Sequence, residues 1–196
     1  RKDSNTLVLD GGDMLQGSPA MTCLGRKPGG LAAPAQLLNA GGYDFVTLGN
    51  HDFDYGKAGI EAYLAALDAR CLCANVSGVC GVEKTALVTL ENGLRVGLTG
   101  VVTHFVTRFE RPETLAGIAV SDAFDAAKAA LAELRAQGAD VTVCIYHGGY
   151  EEDLQTGVGL SASGENQGVR ICRELDFDVL LAGHQHLAVP GARVGN

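Results

Sequence analysis

Tyr43-Asp44-Phe45-Val46-Thr47-Leu48-Gly49-Asn50-His51-Asp52-Phe53-Asp54-Tyr55-Gly56 is the stretch on which the reading of this chain turns. Its first six residues, rich in β-branched and aromatic side chains and running into a glycine, predict a buried strand. Beyond it, Gly56 to Arg70 has helical spacing, with Ile60, Tyr63, Leu64 and Leu67 on one face. Asn-His-Asp therefore falls at the carboxyl end of a strand, where open α/β sheets place their chemistry. Asn50 offers a neutral carbonyl oxygen to a metal and His51 can donate a proton. Asp52 or Asp54 could hold that imidazole in one tautomer. The plainer reading is a polar strand-to-helix loop with Asn50 as its cap.

Working outward, the same device recurs. Upstream, Thr6-Leu7-Val8-Leu9 predicts a short strand ending in the turn Asp10-Gly11-Gly12-Asp13. Pro28 to Pro34 is loop-like, and Ala35 to Ala40 is a short helix stopped by Gly41-Gly42. Downstream, Cys71 to Val76 is a strand. Thr85 to Leu90 and Leu94 to Thr99 read as a β-hairpin, because the intervening Asn92-Gly93 suits the positive φ of a tight turn. A hairpin in an otherwise alternating chain predicts two sheets or a mixed sheet. His104 to Ala119 is irregular. Ser121 or Asp122 caps a helix to Gln137, with Phe124, Ala127, Leu131 and Leu134 inward. Val141 to Tyr146 is a buried strand ending in His147-Gly148-Gly149. A polar loop from Glu151 to Gly164 and a helix from Glu165 to Leu175 follow. Asp178 to Ala182 reads as the last buried strand, ending in Gly183-His184-Gln185-His186. No repeat, low-complexity tract or linker divides the chain, which reads as one domain.

Composition bounds the partners. The 196 residues are 46 % apolar and 19 % charged, as in an ordinary globular protein. A net charge of −8 argues against a nucleic-acid duplex as partner, so an anionic substrate would need local positive charge such as a bound cation. No apolar run is long enough for a membrane span. Arg1 to Asn5 lack the apolar segment of a signal peptide, and a strand begins almost at once, as in a trimmed chain. Of the six cysteines, Cys144 and Cys172 read as buried hydrophobes. Cys71, Cys73 and Cys80 could bind metal or oxidise but lack zinc-ribbon spacing. Reduced, structural thiols are the favoured reading, which leans towards a reducing compartment.

Four strand ends thus carry Asp13, Asn50-His51, His147, and His184 with His186, each beside a glycine that lets the backbone turn sharply. Carboxylate, amide oxygen and imidazole form a mixed O/N set suited to divalent Mn, Fe, Zn or Co. His184 and His186 could each face a different ion.

As a set, Gly12-Asp13, Gly49-Asn50-His51-Asp52, His147 and Gly183-His184-Gln185-His186 resemble the successive blocks of the calcineurin-like metallophosphoesterases. Gly12 to Ser18 and Gly49 to Gly56 are similar to the branch holding 5′-nucleotidases and 2′,3′-cyclic-nucleotide 2′-phosphodiesterases. Gly164-Glu165-Asn166-Gln167 and His186 to Gly191 lean to the cyclic-phosphodiesterase and 3′-nucleotidase side. The resemblance covers essentially the whole chain. It implies a four-layer αββα sandwich of two mixed sheets flanked by helices, with a two-metal centre. By position, Asp13 would bridge the ions, Asn50, His147 and His184 would complete one site, and His186 would belong to the other. His51 would face the phosphate, with Asp54 as its acidic partner and Asp52 the runner-up. The substrate implied is a nucleotide or cyclic nucleotide, as in nucleotide catabolism. Members of the family are often periplasmic or exported.

The family's opening Asp-x-His block has no match, since residues 1 to 9 contain no His. The sequence also ends ten residues after His186, before the branch's C-terminal nucleobase-binding domain. The expectation is a catalytic-domain fragment over 1–196, firmly binding at most one ion and weak or inactive by itself. The alternative to an enzyme is a non-catalytic metallophosphoesterase-like binding module.

Overall fold

A computed structural model describes residues 3–195. The chain opens with β1 (Leu9–Asp10), then α1 (Pro19–Leu24), whose Ser18 side chain accepts from the Met21 amide as N-cap. Helix α2 (Ala33–Gly41) ends on Gly42 in the left-handed conformation and leads to β2 (Phe45–Val46), α3 (Gly56–Ala65) and β3 (Arg70–Leu72). Helix α3 stops short of the predicted Arg70. The Asn39 side chain donates to the Ala66 carbonyl and accepts from the Asp68 amide, turning the chain out of the helix and into β3. Short strands β4 (Val76–Ser77) and β5 (Val82–Glu83) precede the predicted hairpin, β6 (Thr85–Thr89) and β7 (Arg95–Val102). The irregular 104–119 segment contains one helical turn, α4 (Val106–Phe109), and leads to β8 (Ala119–Val120). Asp122 caps α5 (Ala123–Ala136) by accepting from the Asp125 amide, as its acidic side chain and position dictate. Then come β9 (Val141–His147), α6 (Gly168–Glu174) and β10 (Val179–Ala182).

Two four-stranded sheets result, in the orders β1-β2-β3-β5 and β10-β9-β7-β6, with β4 and β8 as a separate antiparallel ribbon. The second sheet is mixed: β6 is antiparallel to β7, while β7, β9 and β10 run parallel. The first sheet, expected to be mixed, is parallel throughout. Its strands are joined by helix-containing crossovers or long loops, and no two-residue hairpin reverses the direction.

Three apolar clusters define the layers. Leu38, Ile60 and Tyr63 of α2 and α3 pack on Val46 and Cys71 of the first sheet. Phe45 and Leu72 of that sheet meet Ala86, Val96, Leu98 and Val143 of the second. Phe124, Ala127 and Leu131 of α5 and Ile171 of α6 cover Cys144 and Tyr146 on its far side. Helices, sheet, sheet and helices are the four layers of an αββα sandwich.

The last strand departs from expectation. Val179 and Leu181 of β10 are 40 % and 41 % exposed, whereas a buried strand was predicted. β10 is the terminal strand of its sheet, so its apolar residues lack a neighbour on one side. Among the described residues, no helix is long and apolar enough to cross a membrane.

Candidate active site

Two glycine turns must touch before the site can assemble. β1 and β2 are parallel neighbours, so the turns after them leave the sheet at the same end. Gly12 has φ +91°, and a side chain there would overlap the Gly49 nitrogen. One at Gly49 would overlap Asp13 Oδ1 and the His147 ring. Only two facing glycines permit this approach.

Asp52 braces the two turns. Its Oδ2 accepts from the amides of Asp13 (2.9 Å) and Gly49 (2.7 Å), and its Oδ1 from that of Leu15 (2.8 Å). The carboxyl is 1 % exposed, and burial pushes its pKa up to about 6 against the opposing pull of those amides. Its role as runner-up partner to His51 is therefore a misreading, since its oxygens are taken up by backbone. Asp54 is the neighbour of His51, with Oδ2 3.3 Å from Nδ1. Glu110, just past α4, comes beside Asp54; burial and then the Asp54 charge push its pKa up.

At the centre is the amide oxygen of Asn50. His147 Nε2 lies 3.2 Å from it and His184 Nδ1 lies 2.8 Å from it. His147 Nε2 is also 3.2 Å from Asp13 Oδ2, while Asp13 Oδ1 accepts from the His51 amide at 2.8 Å. The outer nitrogen of each ring meets an acceptor: His147 Nδ1 is 2.5 Å from the Gly11 carbonyl, and His184 Nε2 is 2.8 Å from Glu165 Oε1. A neutral imidazole carries one N–H. If each ring donates outward, both inner nitrogens aim lone pairs at the oxygens of Asn50 and Asp13, and a cation satisfies all four. The contacts of 2.8–3.2 Å also match the edge of an octahedron whose metal–ligand bonds are about 2.1 Å long, for which √2 × 2.1 is about 3.0 Å.

Where no cation lies between them, Asp13 and His147 act as an acid–base pair. Burial opposes ionisation of Asp13, but the hydrogen bond and charge of His147 outweigh it and lower its pKa. Burial likewise works against a charged His147, yet contact with Asp13 raises its pKa. Each partner thus stabilises the other's charge. The backbone singles out two of these residues and one close in sequence: Asp13 (φ +68°), His184 (+75°) and His186 (+54°) are the non-glycine residues with positive φ among those described. Such conformations cost about 1–3 kcal/mol each and gather at functional sites.

His186 is exposed and is not among the side chains meeting at Asn50. Among the described residues, no group of three or more His, Cys, Asp and Glu side chains is by itself arranged to hold an ion. The cysteine trio does not form a site. Cys71 and Cys73 are buried, with burial pushing the Cys73 thiol up to about 12, whereas Cys80 is exposed; all cysteines are free. Sequence reasoning missed Glu110, which no local pattern marks, and passed over the contact of Glu165, whose motif was visible.

Comparison with known proteins places this geometry. A family model described as calcineurin-like phosphoesterase matches residues 1–188. The "Probable 5′-nucleotidase" of Treponema pallidum is 29 % identical, over 99 % of this chain and 30 % of its own length. The 2′,3′-cyclic-nucleotide 2′-phosphodiesterase/3′-nucleotidase of Salmonella typhimurium is 26 % identical, over 95 % of this chain and 30 % of its own. The calcineurin-like phosphoesterase YfkN of Bacillus subtilis superposes with a TM-score of 0.77 at 28 % identity, covering 96 % of this chain and 60 % of that structure. The chain spans 30 % of the length of these two curated relatives. With the family model spanning nearly all of it and the fold and turn geometry as described, the chain belongs to the calcineurin-like phosphoesterases.

Proposed function

We propose that this chain is the catalytic domain of a metal-dependent hydrolase of nucleotide phosphate esters, acting on 2′,3′-cyclic, 3′- or 5′-nucleotides. The observation that carries the reading is the convergence of His147 Nε2, His184 Nδ1 and Asp13 Oδ2 about the Asn50 amide oxygen, a mixed N/O set that a divalent cation would satisfy. Asp13, Asn50, His147 and His184 would hold one ion, and Asp13 with His186 would contribute to a second. Divalent cations in such a site supply charge neutralisation at the phosphoryl oxygens and water acidic enough to attack phosphorus in line.

The chain's own residues supply the rest. The Gly11 carbonyl can only accept, so it favours the Nδ1–H form of a neutral His147, which would leave Nε2 to hold the ion. Asp13 is aimed by the His51 amide, so one carboxylate oxygen is engaged and the other faces inward. His51 has a side chain 48 % exposed and engages Asp54 through Nδ1, so Nε2 is the nitrogen presented to a phosphate ester. There it would donate a proton to the leaving oxygen or bind a phosphoryl oxygen, with Asp54 orienting the ring. Strained backbone kept at Asp13, His184 and His186 speaks against a module retained only for binding.

The test is hydrolysis by the protein that carries this chain, with Mn²⁺ and 2′,3′-cyclic AMP, 3′-AMP, 5′-AMP and an aryl phosphate. Turnover of a nucleotide that is abolished by Asp13→Ala is expected. Hydrolysis of none of the four would overturn the proposal.

A further inference from the structure

The stretch Gly164-Glu165-Asn166-Gln167 is tied down more firmly than its position after a polar loop requires. The Glu165 carbonyl accepts from the Thr103 hydroxyl at 2.9 Å and from the Tyr146 hydroxyl at 3.4 Å. Asn166 Oδ1 accepts from the Gly149 amide at 3.0 Å. The Gln167 amide donates to the Tyr146 hydroxyl, and its side chain accepts from the Phe124 amide and donates to Asp122. Three consecutive residues thus engage the segment after β7, the end of β9 and the N-terminus of α5. This explains why α6 begins at Gly168 and not at the predicted Glu165: the preceding polar groups are committed to other elements.

What this anchor positions is the Glu165 carboxylate, 2.8 Å from His184 Nε2. His184 needs such support. It follows an exposed terminal strand, on a backbone with φ +75°, so its ring is held by side-chain neighbours. Phe109 stacks near it at 6.4 Å and 28°, and His147 meets it edge-on at 5.5 Å. Neither contact selects which nitrogen carries the proton. Glu165 does, because a carboxylate accepts and cannot donate, so the Nε2–H tautomer is favoured and the lone pair falls on Nδ1, facing Asn50 Oδ1. His147 is set in the opposite sense, with Gly11 taking Nδ1–H and Nε2 turned inward.

We infer that Glu165 is a positioning residue of the metal site, locking His184 as the Nε2–H tautomer so that it binds the ion through Nδ1. The inference rests on the metal-site reading above and names the acidic residue that tunes that site. Removal of an outer partner of this kind typically costs about 10–100-fold in metal affinity.

Two measurements on the wild type and on Glu165→Gln, Glu165→Asp and Glu165→Ala test it. In metal-free protein at mildly alkaline pH, ¹⁵N NMR of the histidine rings should show His184 as the Nε2–H tautomer in the wild type and as a mixture in Glu165→Ala. In Mn²⁺ and Zn²⁺ titrations, Glu165→Ala should bind about 10–100-fold more weakly, with Glu165→Asp partly restoring affinity. Asn166→Ala, which loosens the same anchor and keeps the carboxylate, should lose less. An Nδ1–H tautomer in the wild type would refute the inference, as would Glu165→Ala binding metal within about twofold of a wild type that binds it. A wild type that binds no metal would sink the metal-site reading, and the tautomer measurement would still judge Glu165.

Discussion

Asp52→Asn tests the claim that a buried carboxylate, and not a catalytic one, joins the two glycine turns. In the folded protein its pKa is raised from 3.8 to about 6. Between those values the native state holds a proton that the unfolded chain has released. The resulting stabilisation is fully present below the unfolded-chain value and is lost as pH rises through about 6. At about 1.4 kcal/mol per pH unit, the full span is on the order of 3 kcal/mol, of which about 2 kcal/mol falls between about pH 7.5 and pH 4.5. The amide variant has no charge to bury. With its oxygen where Oδ2 was, it still accepts from Asp13 and Gly49, but its NH₂ then faces the Leu15 amide. That unpaired donor costs about 1–3 kcal/mol. At about pH 7.5 the loss and the relief of the buried charge nearly cancel, leaving wild type and variant within about 2 kcal/mol of each other. At about pH 4.5 the wild type has gained about 2 kcal/mol and the variant has not, so the difference between them shifts by that amount in favour of the wild type. Urea unfolding of EDTA-treated proteins at the two pH values measures it. A stability difference that stays constant with pH, or that shifts in favour of the variant on acidification, would refute the reasoning.

Other perturbations separate the remaining roles. His51→Ala should leave metal content unchanged and slow turnover by about 10²–10⁴, whereas Asp13→Ala should lower metal content itself; equal metal loss in the two would show that His51 is a ligand. Gly49→Ala should destabilise by about 1–3 kcal/mol or more in thermal or urea unfolding, because its methyl meets Asp13 and His147 within a braced turn. A variant with wild-type stability would show that the turns can part without cost. Elemental analysis of the 196-residue chain after gel filtration should find about one metal equivalent or fewer, since under the proposed assignment one ion would have four ligands and the other only Asp13 and His186. Two equivalents accompanied by nucleotidase activity would contradict this.

What the sequence by itself determined is whatever a few neighbouring residues encode. Phe45-Val46 running into Gly49-Asn50, the Asn92-Gly93 hairpin, a helix cap at Ser121 or Asp122 (the structure uses Asp122) and the glycines beside Asp13, His147 and His184 are local signals, and each lies where the residues alone placed it. They sufficed for an α/β chain with its candidate side chains at strand ends, whereas the four-layer αββα arrangement was implied by the family resemblance. Boundaries moved where a distant side chain intervened, as when Asn39 ended α3 and the Glu165–Gln167 anchor delayed α6. Only the tertiary structure decided which of two adjacent aspartates serves His51. Asp52 and Asp54 differ little in sequence, but the turn buries one under three amides and leaves the other beside the ring. It also decided that β10 is exposed, which depends on sheet order and not on composition. The outer partners of the His147 and His184 rings are tertiary in the same way. Gly11 lies 136 residues from His147, and Glu165 reaches His184 across the end of a sheet. Propensity acts through neighbours along the chain, whereas burial, charge and hydrogen-bond partners belong to whatever packing brings together.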